Sequence, residues 1–342
     1  MNAHFSKLIF LAVVVIAAAA LLLNQQSNTT PTASGLLLTD FAANANSIDR
    51  IEISNAQGML VDAVLQDGQW RLANDQLYPA KQSALAELVN NLASAKRLQA
   101  KTTKVEYYSR LGLQDIAIED SLATLVTAFS GGKSWGVLVG NAPANGAGQY
   151  VRIANSKQSW LVDKSVTVPL ALKDWQAQPI LPATMAKLQY VERSGSDGWS
   201  IFKADAEQDN YQLNSLPEGR ELSYVSVLNG LVTAITSMNF EEKFPLDDEQ
   251  WSAYQALAEF SLTDFDGKVI RLQLAQQDEH YFVRFSSNDV QGYWQDWQYQ
   301  ISSLSAEQLN KSLEEFLKPL AEQESAEQSI PSIPMDEGES PQ

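Results

Sequence analysis

Few residues in this chain have the types and spacings that could do chemistry. Histidine occurs only as His4 and His280, and cysteine is absent. Thiol catalysis, disulfides, cysteine-ligated zinc and a lipidated cysteine are therefore excluded. His280, beside Asp278 and Glu279, is a formal base or metal-ligand candidate. A zinc centre needs three or four converging ligands, and the run reads instead as the entrance to a strand at Tyr281. Gly132-Lys133-Ser134 imitates the end of a phosphate-binding loop, but Thr127 stands where the first glycine is required. Asp264-Phe265-Asp266-Gly267 has part of a calcium-loop pattern, but Ala275 occupies the position that needs a bidentate glutamate. A hairpin turn accounts for it. No metal site and no cofactor site is expected.

The binding candidates are aromatic: Tyr293, Trp294, Trp297 and Tyr299, in GYWQDWQYQI. Such rings bind sugars and peptides through broad amphipathic faces. Trp297, Tyr299 and Ile301 nevertheless alternate with Gln298 and Gln300, as in a half-buried strand, so core packing is the expected role. A wall- or glycan-binding module using these rings is the alternative function. A carboxylate-based hydrolase is the second alternative, because 41 acidic residues permit many pairs. The densest acidic cluster, Asp247-Asp248-Glu249 followed by Gln250, fits a helix N-terminus.

The elements that would position these residues begin with Ile48 to Leu98. Ile48, Ile51 and Ile53, the run Leu60 to Leu65, and Trp70 with Leu72 read as a meander turning at Asp67-Gly68, the pair that best tolerates positive φ. Pro79 is expected in a first helical turn. The helix after it carries a stripe of Leu85, Leu88, Val89, Leu92 and Leu98, with Lys96 and Arg97 in its last turn. Next come a packed turn at Tyr107–Leu113 and a hairpin of Leu122–Phe129 and Trp135–Val139 about Gly131-Gly132. A small-residue loop at 140–148 and a hairpin of Tyr150–Ile153 and Trp160–Val162 follow. Pro169–Pro182 closes this part, with Trp175 as its anchor.

The pattern then returns. Leu188–Glu192 and Trp199–Phe202 flank Asp197-Gly198, a turn matched to Asp67-Gly68. Val225, Leu228, Val232 and Ile235 keep step with Leu85, Leu88, Leu92 and Ala95 at a shift of 140. Phe260–Lys268 parallels Leu122–Lys133, and Tyr281–Phe285 parallels Tyr150–Ile153. Ordered matches with varying loops are the mark of a diverged duplication. The second helix should bury Val225, Leu228 and Val232, with Gly230 marking a close approach to the sheet. Ser305 with Gln308 reads as a capping box before a stripe of Leu309, Leu313, Phe316 and Leu317.

Composition bounds the rest. The chain has 342 residues and a net charge of −17, which disfavours nucleic-acid binding. Leu8–Leu23 contains no polar residue, Lys7 precedes it and the next basic residue is Arg50. This reads as an uncleaved anchor with a cytoplasmic N-terminus and an exported remainder. The expected organisation is α+β: a transmembrane helix in 1–23, a linker in 24–46 and two similar modules in 47–182 and 183–320. Each module should be a mainly antiparallel sheet with a packed helix. An acidic, disordered tail occupies 321–342, although Leu36–Phe41 within the linker already looks like folded chain.

DGQWRL (Asp67 to Leu72), the striped helix, YYSRLGL (Tyr107 to Leu113), VLVGNAPANGAGQYVRI (Val137 to Ile153) and LKDWQAQPIL (Leu172 to Leu181) resemble the bacterial domain-of-unknown-function family 4340. The resemblance implies an inner-membrane protein whose bulk is periplasmic. It further implies an auxiliary, non-enzymatic role beside an ABC-type transport assembly, with an integral-membrane component as partner. It implies no catalytic residue. The acidic tail departs from the family pattern.

Overall fold

The computed structural model describes residues 35–144, 146–182 and 187–319. The chain divides into two compact units between Ala177 and Gln178. The apolar run Leu8–Leu23 and the tail 321–342 lie outside the described residues. Among the described residues no helix is long and apolar enough to cross a membrane.

The first unit is a nine-stranded antiparallel sheet. Its strands are β1 (Arg50–Asn55), β2 (Gly58–Gln66), β3 (Gln69–Leu72), β4 (Tyr78–Pro79), β5 (Arg97–Ala100), β6 (Thr124–Ser130), β7 (Lys133–Val139), β8 (Gln149–Ile153) and β9 (Ser159–Val162). They are ordered β4-β3-β2-β1-β6-β7-β8-β9-β5. Folded structure starts inside the expected linker. Leu36 bridges to Lys96, and α1 (Thr39–Asn44) buries Phe41. Asp67 and Gly68 take φ of 51° and 77°, as a tight hairpin turn requires.

The helix α2 (Gln82–Ser94) buries Leu85, Leu88 and Leu92 against this sheet's core. Its ends differ from the sequence reading. Pro79 sits in β4 opposite Arg71, at the sheet margin where a missing N–H is tolerated. Lys96, Arg97 and Leu98 lie beyond the helix, because Ala95 turns extended (ψ 125°) and the chain enters β5 beside β9. Leu98 is consequently exposed. Next comes α3 (Tyr108–Leu111), whose Tyr108 is buried. In the loop at 140–148 a Cβ on Gly148 would collide with the carbonyl of Val162, so a glycine is required there. Trp175 closes the unit, buried and donating through Nε1 to the Pro169 carbonyl at 3.0 Å.

The second unit has eight strands: β10 (Leu188–Arg193), β11 (Trp199–Phe202), β12 (Gln212–Leu213), β13 (Glu242–Pro245), β14 (Gln255–Asp264), β15 (Val269–Gln277), β16 (His280–Ser286) and β17 (Trp297–Ile301). Their order is β12-β11-β10-β14-β15-β16-β17-β13. Aligning β10–β12 with β1–β3, β13 with β5 and β14–β17 with β6–β9 gives the same order in both sheets, with β4 unmatched. Helices α4 (Val227–Thr236) and α5 (Asp248–Ser252) then fall where α2 and α3 do.

Several sequence expectations fail here. Val225 is 73% exposed, and burial falls instead on Val227, Leu228, Leu231, Val232 and Ile235. The first helical turn is replaced by a paired stretch and then a tight turn: Leu222 bridges to Leu317, Ser223 N–H donates to the Phe316 carbonyl, and Val227 N–H closes onto the Tyr224 carbonyl. Gly230 marks no close approach; it is exposed and a Cβ there would meet nothing within 4 Å. Asp197-Gly198 joins β10 to β11, whereas Asp67-Gly68 joins β2 to β3, so the two turns are not equivalent. Ser302, not Ser305, caps the next helix, α6 (Ser303–Leu309). The expected stripe breaks after Leu309, and Phe316 and Leu317 are buried from a separate turn capped by Ser312.

Candidate functional site

The aromatic residues singled out by sequence do not form an open face. Trp294 and Tyr299 are fully buried and Trp297 nearly so. Phe285 meets Trp294 and Tyr299 edge-on, at centroid distances of 6.2 and 6.5 Å. Tyr293 is half-buried and donates to the Ile180 carbonyl at 2.9 Å. The Lys243 ammonium lies 3.2 Å from the Trp297 ring centroid. Burial of both tryptophans removes the platform that a sugar would need. The cause is register: Trp297, Tyr299 and Ile301 share a face of a strand flanked on both sides, by β16 and β13.

The other motifs also resolve into structure. Asp264 Oδ1 accepts the backbone N–H of Asp266 and of Lys268, and Gly267 takes φ of 80°, which is a hairpin turn. Asp247 caps α5 by accepting the Gln250 N–H at 3.0 Å. His280 opens β16 on the surface, with Gln300 Nε2 3.3 Å from its Nδ1. Gly131 and Gly132, both at positive φ, make the β6–β7 turn ahead of Lys133.

Two residues that the sequence reading aligned but did not interpret organise each unit. Arg152 on β8 is buried, stacks 4.5 Å over Tyr108 of α3 and pairs with Asp115 at 2.7 Å. It also donates to the carbonyls of Leu113 and Ser156. Arg284 on β16 stacks 4.6 Å over Trp251 of α5 and pairs with Asp248 at 2.7 Å. Each arginine ties the short helix to the sheet through one aromatic face and one carboxylate. The signal was the matched Tyr150–Ile153 and Tyr281–Phe285 runs.

An open groove of about 760 Å³ lies in the second unit, walled by Tyr211, Leu213, Leu216, Leu222, Tyr224 and Val225. Sequence analysis did not find it, because loops and a failed helical turn make its walls. Leu216, Tyr224 and Val225 are 46%, 60% and 73% exposed. At its floor Tyr211 donates its hydroxyl to the Leu188 carbonyl, and burial pushes its pKa up to about 12. Asn229 Oδ1 accepts the Tyr211 N–H at 3.0 Å, fixing the loop to α4. The β12 strand borders the groove at the sheet margin. Asn214 N–H donates to the Ser200 carbonyl, so by alternation the backbone groups of Leu213 turn to the free edge. Apolar walls beside such an edge suit an extended peptide segment.

No curated protein and no solved structure matches this chain. A family profile does match, over residues 70–259, which takes in β4 to β13, the Arg152 anchor and the start of β14. The chain belongs to the family described as Domain of unknown function (DUF4340).

Proposed function

We propose that this protein is a non-enzymatic, membrane-anchored extracytoplasmic accessory protein, auxiliary to an ABC-type transport assembly. Two copies of one α+β unit, arisen by tandem duplication, form its exported part, and Leu8–Leu23 is the anchor. Shared strand order and the Arg–aromatic–carboxylate anchor support the duplication. The single observation that carries the role is the groove with Leu216, Tyr224 and Val225 on its exposed wall. Exposed apolar side chains gathered at a concavity mark a contact surface. The occupant on this reading is an extended segment of an integral-membrane transport component.

The test is affinity capture of the full chain from detergent extract, with Tyr224→Asp/Val225→Asp in parallel. A transport component should co-purify with the wild type and fall by about tenfold with the variant, as for loss of a central contact. Recovery of the bare protein, or of the same partner at equal yield with both forms, refutes the reading. Both substitutions lie on exposed side chains, so unchanged circular dichroism is the folding control.

A further inference from the structure

The first unit carries a basic strip that runs against the charge of the whole chain. Residues 96–110 contain Lys96, Arg97, Lys101, Lys104 and Arg110 against the single acid Glu106, in a protein of net charge −17. They run from the residue before the outer strand β5, through the segment after it, into α3, which holds Arg110. Among the described residues, none of the side chains of Lys96, Lys101, Lys104 and Arg110 makes an ion pair. Three of them lie instead along aromatic rings. Lys104 and Arg110 sit 5.7 and 4.9 Å from the Tyr107 centroid, and Lys101 sits 5.5 Å from that of Tyr150. Leu98, Val105 and Tyr107 are exposed between these cations. Cations interleaved with exposed apolar and aromatic side chains suit the headgroup layer of a membrane, where charge meets phosphate and rings enter the interface.

The strip is also tied to Gly35, Leu36 and Leu37. Arg97 N–H donates to the Gly35 carbonyl at 3.0 Å, Leu36 bridges to Lys96, and an Arg97 guanidinium N–H donates to the Leu37 carbonyl at 2.9 Å. Residues 24–34 alone separate Gly35 from the apolar run Leu8–Leu23. A segment of that length spans at most about 40 Å, so an anchored chain must hold this strip close to the bilayer.

We infer that the β5 strip, through Lys96, Lys101, Lys104 and Arg110, docks the first unit on anionic lipid headgroups. This rests on the reading of Leu8–Leu23 as an anchor. Docking fixes the height and tilt of the first unit, which a polar tether alone would leave free.

The full chain reconstituted into phosphatidylcholine vesicles, with and without phosphatidylglycerol, tests this by hydrogen exchange. Exchange across 98–111 should slow by about tenfold when phosphatidylglycerol is present. Lys104→Glu/Arg110→Glu should abolish that difference while leaving exchange in α2 unchanged. Equal exchange in the two lipid mixtures, with the chain resisting carbonate extraction, overturns the docking and leaves the anchor reading standing. Extraction by carbonate refutes the anchor, and the docking with it.

Discussion

The first and second units share a strand order and a helix position, yet they spend equivalent residues differently. In the first unit the chain from β4 runs straight into α2, whose first turn buries Leu85. In the second, the residues at the same offset are pulled into pairing with 316–318, and Val225 is left on the surface. That exchange of helical turn for paired stretch builds one wall of the groove. The arginine anchors diverge in the same way. Arg152 is buried and satisfies two backbone carbonyls, whereas Arg284 is partly exposed and bonds only side chains, those of Gln273 and Asp248. The sheet is therefore a common frame, and the loops after the third strand carry the individuality.

The most disruptive way to probe the common frame is at the helix–sheet contact. Leu88→Ala and Leu228→Ala, at nearly identical burial, should each cost about 3 kcal/mol by denaturant titration. A cost below about 1 kcal/mol for either would mean the two helices are not equivalent supports.

The arginines should then part company. Arg152→Ala strands the carbonyls of Leu113 and Ser156 away from water and should cost about 2–3 kcal/mol. Arg284→Ala, at a more exposed pair, should cost no more than about 1 kcal/mol. Equal losses would contradict the difference in burial.

At the groove floor, Tyr211→Phe should cost about 1 kcal/mol near neutral pH by removing the bond to Leu188. The same variant sharpens the alkaline limit. Folded Tyr211 keeps its proton to about pH 12, while a tyrosine in unfolded chain releases it near 10. Between those values the unfolded state binds fewer protons, so stability falls as pH rises. Wild type should therefore lose stability faster than Tyr211→Phe across that interval, measured by urea midpoints.

The smallest effect should be a gain. Gly230→Ala on the exposed face of α4 meets no neighbour and should stabilise by about 0.5–1 kcal/mol. Asn90, 140 residues earlier in α2, shows that the frame tolerates a side chain at the matching place. A loss of stability in a thermal melt would mean that α4 needs the glycine for a reason its surroundings do not show.

Local signals and period determined most of the frame. Asp67-Gly68 and Gly131-Gly132 specify tight turns because few other pairs accept positive φ, and Leu85, Leu88 and Leu92 specify a buried helical face because their spacing leaves no other common side. Alternation at Trp297, Tyr299 and Ile301 placed those rings in a sheet. Tertiary contacts decided what competed with these signals. Nothing local to 221–223 announces that residues 316–318 will claim it, since that pairing is bridged by nearly a hundred residues of chain. The same holds for Lys96 and Arg97, suited to a helix end until the carboxylate of Asp163 and the carbonyl of Gly35 offered their N–H groups better partners. Periodicity reports which face a residue shares; only the assembled sheet decides which distant strand completes its hydrogen bonds.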